Sequence, residues 1–482
     1  MLRIHRLSAF CAILFTALLV AGCGNWQSSL PFPTPGKQDL VVLLEKGPLT
    51  HLDDSGNPNN GLEHDLLQLF GEELGVPVRF ITSPRSTFAQ QIRQGDYHIA
   101  AGWLSPNSDS SSVSSAPLFS TYDLLVQDDA SLPLTDLAQL ADKTVHVLAG
   151  SRQAQTLRQL AEKIPGLTVV AVDRSDILDL LDEVGDHKIS YAAMDSRLED
   201  LASQYIPSLR STLTLSEAAP IVWQLGAHPN PELQARLDEF IHRVRADGTL
   251  SRLEERYFGH VHRLTPLDIE KFQTAIERTL PRLRRFFQDA ERQTGIDWRL
   301  IAALAWQESH WDPFATSYTN VRGMMMLTED TADRLKVSNR LDARESILGG
   351  ARYLNILRDG LPPDVPEPDR TWLAIAGYNL GPGHLNAGRS IARQMQADPN
   401  AWVDMRRILP LMAKPEYYSR LKSGRARGGE AVIMTENIRS FYDILMRREA
   451  PLPSDPLAAL NDTQKSLSIS PTAPRSGQGI KP

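Results

Sequence analysis

Residues 61–82, GLEHDLLQLFGEELGVPVRFIT, decide the fold of the first half of this 482-residue chain. Up to Gly75, leucine and phenylalanine recur three or four residues apart, which predicts an amphipathic helix ended by glycine. The VPVRFIT that follows is rich in β-branched and aromatic residues and predicts a strand. The alternation continues outward, with LVVLLE (40–45) before this stretch and FAQQIRQGDYHIAAGWL (88–104) after it. Strands that alternate with helices predict a mainly parallel α/β module.

A second alternating run extends from KTVHVLAG (143–150) to ISYAAMD (189–195), and ADGTLSRLEERYFG (246–259) closes the region. In this order the stretches resemble the periplasmic solute-binding proteins of the polar-amino-acid class over residues 38–262. The resemblance implies an N-terminal α/β module of two lobes around a cleft. It also implies that Asp195 meets the amino group of a ligand, whereas the residues alone allow a helix N-cap equally well.

One feature of that class has no counterpart in this chain. After the first-lobe strand the class usually has Thr/Ser-x-x-Arg, and that arginine clamps the ligand's carboxylate. Here the chain reads LSPNSDSSSVSSAP (104–117), without arginine between Arg93 and Arg152. Because guanidinium is the natural partner of a carboxylate, we do not expect a free amino acid as the ligand. We expect a regulatory module or a spacer, with a muropeptide or wall-derived peptide as the ligand if the module regulates.

The second half contains a carboxylate on an apolar helical face, in the stretch AWQESHWDP (305–313). Glu308 follows Ile301 and Leu304 at helical spacing, and the Asp-Pro pair at the end of the stretch is expected to stop the helix. A half-buried glutamate at a helix end has a raised pKa, because desolvation disfavours its charged form. The alternative is an ordinary solvated glutamate.

The rest of this half is helical, without convincing strands from about residue 263. TPLDIEKFQTAIERTLPRLRRFFQDAERQTG (265–295) predicts one long amphipathic run that Gly295 ends. LPPDVPEPD (361–369) predicts a loop between later helices.

Three further stretches follow Glu308 in a fixed order: PFATSYTNVRGMMMLTEDTA (313–332), AIAGYNLGPGHL (374–385) and MTENIRSFYDIL (434–445). Together with QESHWDP they resemble the lytic transglycosylases of the goose-lysozyme-like class, which implies a mainly α, lysozyme-like domain. The implied substrate is the glycan strand of peptidoglycan. The implied reaction breaks the MurNAc–GlcNAc bond with Glu308 as the single acid and then base, and leaves a 1,6-anhydro end without using water.

The same resemblance implies five substrate-binding residues: Ser317, Met325, Met326, Tyr378 and Asn379. It implies that Ser317 contacts the N-acetyl group and that the Tyr378 hydroxyl lies near the acid. From the residues alone, Tyr378 could instead pack beneath a turn, and the methionines could fill core. A helix-surface position is expected for Glu436, which we do not predict to be catalytic.

The N-terminus carries an export signal. Residues 1–22 have a basic start and a short apolar core, and Val20-Ala21-Gly22-Cys23 looks like a bacterial lipobox, in which Cys23 receives lipid. The alternative is an ordinary secretory signal with a chance cysteine. Lipid on Cys23 would be the sole membrane anchor, and the Gly that follows it favours the periplasmic face of the outer membrane.

Charge divides the chain into two unlike parts. Residues 24–262 carry 18 Lys+Arg against 32 Asp+Glu, a net −14, and residues 263–450 carry 28 against 24, a net +4. A mildly basic module suits an anionic polymer, and nucleic acid is a poor candidate because no basic tract occurs. No metal or other cofactor is predicted, since His-Glu-x-x-His and phosphate-loop motifs do not occur. His260 and His262 are expected at the surface.

The predicted layout has five parts: a signal (1–22), a tether (23–37), the solute-binding-like module (38–262), the catalytic domain (263–450) and a disordered tail (451–482). Two other functions are considered. A hydrolytic muramidase is disfavoured because Glu308 is the only carboxylate in these motifs on an apolar helical face. A non-catalytic wall-binding sensor is disfavoured because the acid and the Tyr-Asn pair are both present.

Overall fold

The computed structural model describes residues 30–50, 61–106, 113–174, 176–226, 229–261, 263–317 and 320–453. The signal, Cys23, the start of the tether and most of the tail lie outside these ranges. Within them, no helix combines the length and the apolar character needed to cross a bilayer. The chain separates into two compact units, and the division falls between Gly259 and His260.

The first unit contains two five-stranded sheets. The strands are β1 (Leu40–Glu45), β2 (Val78–Ser83), β3 (Ile99–Leu104), β4 (Phe119–Thr121), β5 (Asp123–Asp128), β6 (Thr144–Leu148), β7 (Thr168–Val172), β8 (Tyr191–Asp195), β9 (Leu209–Thr214) and β10 (Ala219–Leu225). One sheet has the order β2-β1-β3-β10-β4 and the other β7-β6-β8-β5-β9.

The helices of this unit cover both sheets. They are α1 (Leu62–Leu74), α2 (Arg85–Gln94), α3 (Arg152–Ala161), α4 (Ile177–Gly185), α5 (Glu199–Tyr205), α6 (Pro231–Ala246) and α7 (Thr249–Phe258). Strand β1 is buried along its whole length, because α1, α6 and α7 pack on one face of its sheet and α2 packs on the other. The α/β prediction for this unit is confirmed.

The prediction of mainly parallel strands holds for only part of each sheet. β1 pairs in parallel with β2 and β3, and β6 pairs in parallel with β7 and β8. The strands β4, β5, β9 and β10 all pair antiparallel. The reason is topological: the chain leaves the first sheet, builds the second and returns as β10, which enters the first sheet in the reverse direction.

The described residues of the second unit form helices and loops, with isolated β-bridges at Thr316, Arg322 and Leu327. Its helices are α8 (Pro266–Arg278), α9 (Leu280–Thr294), α10 (Trp298–Ser309), α11 (Glu329–Leu335), α12 (Ala343–Asp359), α13 (Asp369–Leu380), α14 (Pro382–Gln394), α15 (Trp402–Ile408), α16 (Pro415–Tyr418) and α17 (Gly428–Arg448). The prediction of one long run over 265–295 is wrong, because the chain breaks at Thr279. Pro281 has no N–H, and its ring would clash with the carbonyl one turn earlier. Gly295 does end α9, in the left-handed conformation at φ 69°.

Candidate active site

Helix α10 carries Glu308 in its last turn. The helix is buried around its whole circumference from Trp298 to Trp306, so it is a central helix rather than one with a single apolar stripe. Glu308 is half-buried, and among the described residues no group hydrogen-bonds with its carboxylate. Burial raises the pKa of Glu308 to about 8. The negative end of the helix dipole acts in the same direction.

The end of this helix differs from the expected one. The helix ends at Ser309, three residues before the Asp-Pro pair, because His310 and Trp311 both adopt left-handed φ values, 52° and 60°. The Trp311 indole is buried, and its N–H donates to the Ala302 carbonyl at 2.8 Å. Two consecutive left-handed residues turn the chain sharply. The anchored indole fixes the direction that the chain takes after Glu308.

Ser309, next to the acid, ties this helix to the glycine–methionine loop at 322–327. Its hydroxyl is buried and lies 2.8 Å from the Met324 carbonyl and 3.1 Å from the Ala305 carbonyl. The serine therefore joins the acid's helix to the loop through one side chain.

Gly323 in that loop cannot be replaced without a shift of backbone. Its φ is +84°, and a Cβ there would lie 1.8 Å from the Arg340 carbonyl oxygen. The Arg340 guanidinium donates to the carbonyls of Asn320 at 2.9 Å and Leu327 at 3.0 Å. One arginine thus holds the loop on both sides of the glycine.

Met325 is held by its backbone. Its N–H donates to the Ser346 hydroxyl at 3.1 Å, and its carbonyl accepts from the Tyr378 hydroxyl at 2.8 Å. Its side chain is fully buried against Gly350, where a Cβ would approach it to 2.6 Å. The prediction that this side chain contacts the substrate does not fit such burial. The side chain packs in the core because Gly350 on α12 has no side chain of its own and leaves room for it.

The other predicted residues lie in different environments. Met326 is half-buried and has φ 47°. The Ser317 hydroxyl accepts from the Val321 N–H at 3.1 Å. Asn379 is exposed on α13, and its side chain makes no hydrogen bond with another described residue.

Tyr378 belongs to the same cluster as the acid. Burial raises its pKa well above the usual value, and the nearby charge of Glu308 raises it further, as does Tyr353. The ring centroids of Tyr353 and Tyr378 are 5.1 Å apart. The structure thus brings together Glu308, Tyr378 and the Met325 backbone. Sequence reasoning missed Ser346 and Tyr353, although their spacing on one face of α12 was a usable signal.

Glu436 is not at a helix surface, as was predicted, but buried. Its carboxylate accepts from the Trp402 indole at 2.5 Å, from Arg439 at 3.0 Å and from Arg406 at 3.2 Å. Burial alone would raise its pKa, but these partners, Arg439 foremost, together with His260, hold the pKa below its usual value. The helix pattern of α17 places Arg439 one turn from Glu436, but it could not reveal Trp402 and Arg406, which come from a distant part of the chain.

His260 is likewise buried rather than exposed. Its Nε2 lies 2.5 Å from the Asp443 carboxylate, and its carbonyl accepts from the Ser440 hydroxyl at 3.0 Å. His262 lies outside the described residues. No cluster of three or more metal-binding side chains occurs in the described ranges.

The first unit has a cleft of its own, and Asp195 lines it. One carboxylate oxygen of Asp195 accepts from Thr121 and from the Arg197 N–H, at 2.5 and 2.9 Å. The other accepts from the Trp103 indole at 3.1 Å and from Arg152 at 2.9 Å. Asp195 therefore caps the turn at 196–198 and also lines the cleft, and its contact with the amino group of a ligand stays a prediction.

Two arginines that sequence reasoning did not select also line this cleft. Arg152, at the start of α3, bridges Asp195 and Asp123, and Arg85, at the start of α2, pairs with Glu45. Both lie outside residues 94–151, where the class has its usual arginine, so the cleft has guanidinium groups at other positions. Each of them is already paired with a carboxylate.

Comparison with known proteins identifies both units. Residues 285–402 match the model of the transglycosylase SLT domain, and residues 40–260 match that of the bacterial extracellular solute-binding proteins, family 3. A membrane-bound lytic murein transglycosylase F of Nitrosospira multiformis is 39% identical over 451 residues, which cover 93% of this chain and 94% of that protein. One of Methylobacillus flagellatus is 38% identical over 466 residues, 95% of this chain and 98% of that protein.

Among solved structures, an ancestral arginine-binding protein bound to arginine matches with a TM-score of 0.41 and 18% identity. The match covers 46% of this chain and 98% of that one. A similarity of this size carries no conclusion about the ligand of the cleft.

Proposed function

This chain belongs to the membrane-bound lytic murein transglycosylase F family, and from that premise we propose that it cleaves the MurNAc–GlcNAc β-1,4 bond of murein without water. The product is a 1,6-anhydro-MurNAc end, and the process served is turnover and remodelling of the cell wall. The observation that carries this proposal is Glu308, a half-buried acid with a pKa of about 8 and no partner among the described residues.

In the first step, protonated Glu308 donates its proton to the glycosidic oxygen. The bond from that oxygen to C1 of MurNAc breaks, GlcNAc leaves with a free 4-hydroxyl, and positive charge develops on the MurNAc ring. Glu308 is now a carboxylate, and its charge stabilises the oxocarbenium-like state. The raised pKa keeps most of the acid protonated at neutral pH before this step.

In the second step, Glu308 acts as the base. It takes the proton of the MurNAc C6 hydroxyl, whose oxygen bonds to C1 and closes the anhydro ring. An internal nucleophile has a high effective molarity, so a second carboxylate to activate water is not required. Glu436, in the last of the matching stretches, is engaged by Trp402 and two arginines, which disfavours it as the second carboxylate of a hydrolase.

The neighbouring residues position the acid and the substrate. Tyr378 holds the Met325 carbonyl and so keeps the glycine–methionine loop at the site. Ser317 contacts the N-acetyl group, and Asn379 and Met326, which are exposed and half-buried, contact the glycan.

The N-terminal unit takes a small ligand in its cleft and regulates the catalytic unit. A wall-derived peptide is our candidate. Because Asp195 already accepts four hydrogen bonds, the amino group of such a peptide must displace the Trp103 indole or Arg152. The test is to titrate a stem tripeptide into the chain from residue 24 onward and measure the rate of murein cleavage. A rate independent of tripeptide at saturating concentration would contradict regulation by this ligand.

The anchor is lipid on Cys23, which places the enzyme on the periplasmic face of the outer membrane. Metabolic labelling with a fatty acid, followed by membrane fractionation, tests this. The wild-type chain should be labelled and sediment with outer membrane, and Cys23→Ser should be unlabelled. Equal labelling of both would contradict the assignment.

The direct test of the reaction is mass spectrometry of murein sacculi treated with the chain from residue 24 onward. The expected products are anhydro-muropeptides. Reducing, hydrated ends would establish a muramidase instead, and no product with or without the tripeptide would favour a wall-binding sensor.

A further inference from the structure

One face of α12 contacts the glycine–methionine loop, which Ser309 joins to the helix that carries Glu308. Ser346 on this face accepts a hydrogen bond from the Met325 N–H, and Gly350 receives the Met325 side chain. Gly350 follows Ser346 by four residues, and Tyr353 follows Gly350 by three, so all three lie on the same face of the helix. Its ring lies against Tyr378, at 5.1 Å between centroids and 58° between planes.

Exposure changes along this face. Ser346 and Gly350 are buried, whereas Tyr353 is half-buried, so the face emerges from the core where it meets Tyr378. Tyr378 in turn lies within the electrostatic reach of Glu308. Tyr353 is therefore the point at which α12 enters the surroundings of the acid.

The two phenols of this cluster differ in what their hydroxyl groups do. The Tyr378 hydroxyl donates to the Met325 carbonyl at 2.8 Å. The Tyr353 hydroxyl donates to none of the described residues, and burial raises its pKa, so it keeps its proton at neutral pH. A half-buried donor without a protein acceptor suits an oxygen of a bound ligand.

We propose that Tyr353 is a substrate-binding residue of the catalytic unit: its hydroxyl donates a hydrogen bond to a carbonyl or hydroxyl oxygen of the N-acetylated glycan strand, while its ring packs against Tyr378. This rests on the proposed function, because the glycan is the substrate assumed. Ground-state binding depends on the hydroxyl, and the position of Tyr378 depends on the ring. The two contributions can therefore be separated by two variants.

Tyr353→Phe keeps the ring and removes the hydroxyl. We expect KM for peptide-free glycan strands to rise about fivefold with kcat within twofold, because one neutral hydrogen bond contributes roughly this much to affinity. Tyr353→Ala removes the ring as well, and we expect kcat to fall in addition, about tenfold or more, since Tyr378 loses its packing. Tyr417→Phe is the matched control, as it removes a half-buried hydroxyl outside the cluster.

Direct binding separates this proposal from the proposed reaction. In a Glu308→Gln background, which makes no turnover, the Kd for the same glycan strands should be about fivefold weaker with Tyr353→Phe and unchanged with Tyr417→Phe. Equal Kd values for Tyr353→Phe and its parent would overturn the role of the hydroxyl. If Glu308→Gln itself still cleaved murein, the proposed reaction would fail, and the KM of Tyr353→Phe compared with that of the wild type would decide the role of Tyr353.

Discussion

Each of the two units contains a carboxylate at its candidate site, Asp195 buried and Glu308 half-buried, and the two carboxylates differ in what surrounds them. Asp195 accepts four hydrogen bonds, which occupy the acceptor capacity of both its oxygens. Glu308 has no hydrogen-bond partner among the described residues, and burial alone raises its pKa to about 8. The satisfied carboxylate holds structure together, whereas the unsatisfied one retains its capacity to give and take a proton.

Glu63 shows that a raised pKa alone does not make a catalytic acid. Burial also raises its pKa to about 8, but it accepts from the Trp223 indole at 2.8 Å and from the Trp103 N–H at 3.1 Å. It is fully buried and holds two strands of the first sheet together, so no substrate reaches it. Glu63 and Glu308 therefore differ in their hydrogen-bond partners and in their accessibility to substrate, and not in the direction of their pKa shift.

The largest expected effect comes from Glu308→Gln. Because general acid–base catalysis contributes about 10²–10⁴-fold and this residue serves in both steps, we expect murein cleavage to fall by at least about 10³-fold. Release of anhydro-muropeptides, measured by mass spectrometry over time, checks this. Glu329→Gln, on an exposed side chain of α11, is the control and should retain full activity.

The same variant should not destabilise the fold. The folded-state pKa of Glu308 lies above that of an unfolded glutamate, so its ionisation opposes folding, and the wild type loses stability as pH rises from about 4.5 to about 8. Glu308→Gln lacks this contribution. The free energy of unfolding of both proteins, measured with denaturant across that pH range, should increasingly favour the variant as pH rises. A constant difference would mean that Glu308 is ordinarily solvated.

Activity should fall at alkaline pH. The proton that Glu308 donates is lost as pH rises through about 8, so we expect kcat/KM to decline tenfold per pH unit above that value. Initial rates on solubilised glycan strands between pH 5 and 10 give the profile. Asp195→Asn should show the same midpoint, and a profile that already declines above pH 5 would contradict a buried acid.

Asp195→Asn should lower the stability of the first unit. The amide nitrogen would face groups that themselves donate, so we expect the free energy of unfolding of the first unit to fall by about 2 kcal/mol. Thermal unfolding followed by circular dichroism measures this. Asp129→Asn, at an exposed side chain, is the control and should unfold like the wild type; equal stability of all three would show that the four bonds to Asp195 contribute nothing.

The smallest expected effect is that of Tyr378→Phe. It removes the hydrogen bond to the Met325 carbonyl and leaves the ring packing with Tyr353, so we expect kcat to fall about fivefold. The measurement is steady-state kinetics of the wild type, Tyr378→Phe and the control variant Tyr417→Phe. A loss as large as that of Glu308→Gln would instead give Tyr378 a direct part in proton transfer.

Local patterns were sufficient for some of these features. The helix and strand at 61–82 follow from apolar spacing and from Gly75, and both were predicted. The raised pKa of Glu308 was predicted from the apolar residues of its own helix, although the burial that causes it is completed by other parts of the chain, Tyr378 among them. For the helix and strand at 61–82 the deciding interactions lie within a few turns of chain.

Long-range contacts decided the features that were missed. The burial of Met325 depends on Gly350, and that of Glu436 depends on Trp402, residues that no local pattern connects. Helix α10 ends early because the Trp311 indole is anchored in the core. Asp195 is saturated because Arg152 and Trp103 reach it from other strands and helices.

The most direct test of the difference between the two carboxylates is the titration of Glu308 itself. Carbon-13 NMR of the glutamate carboxyl groups, compared between the wild-type chain and Glu308→Gln, isolates the one resonance that disappears. A midpoint near pH 8 for that resonance is the result we expect from burial without partners. A midpoint near 4.5 would show a solvated surface carboxylate and would contradict the assignment of Glu308 as the acid.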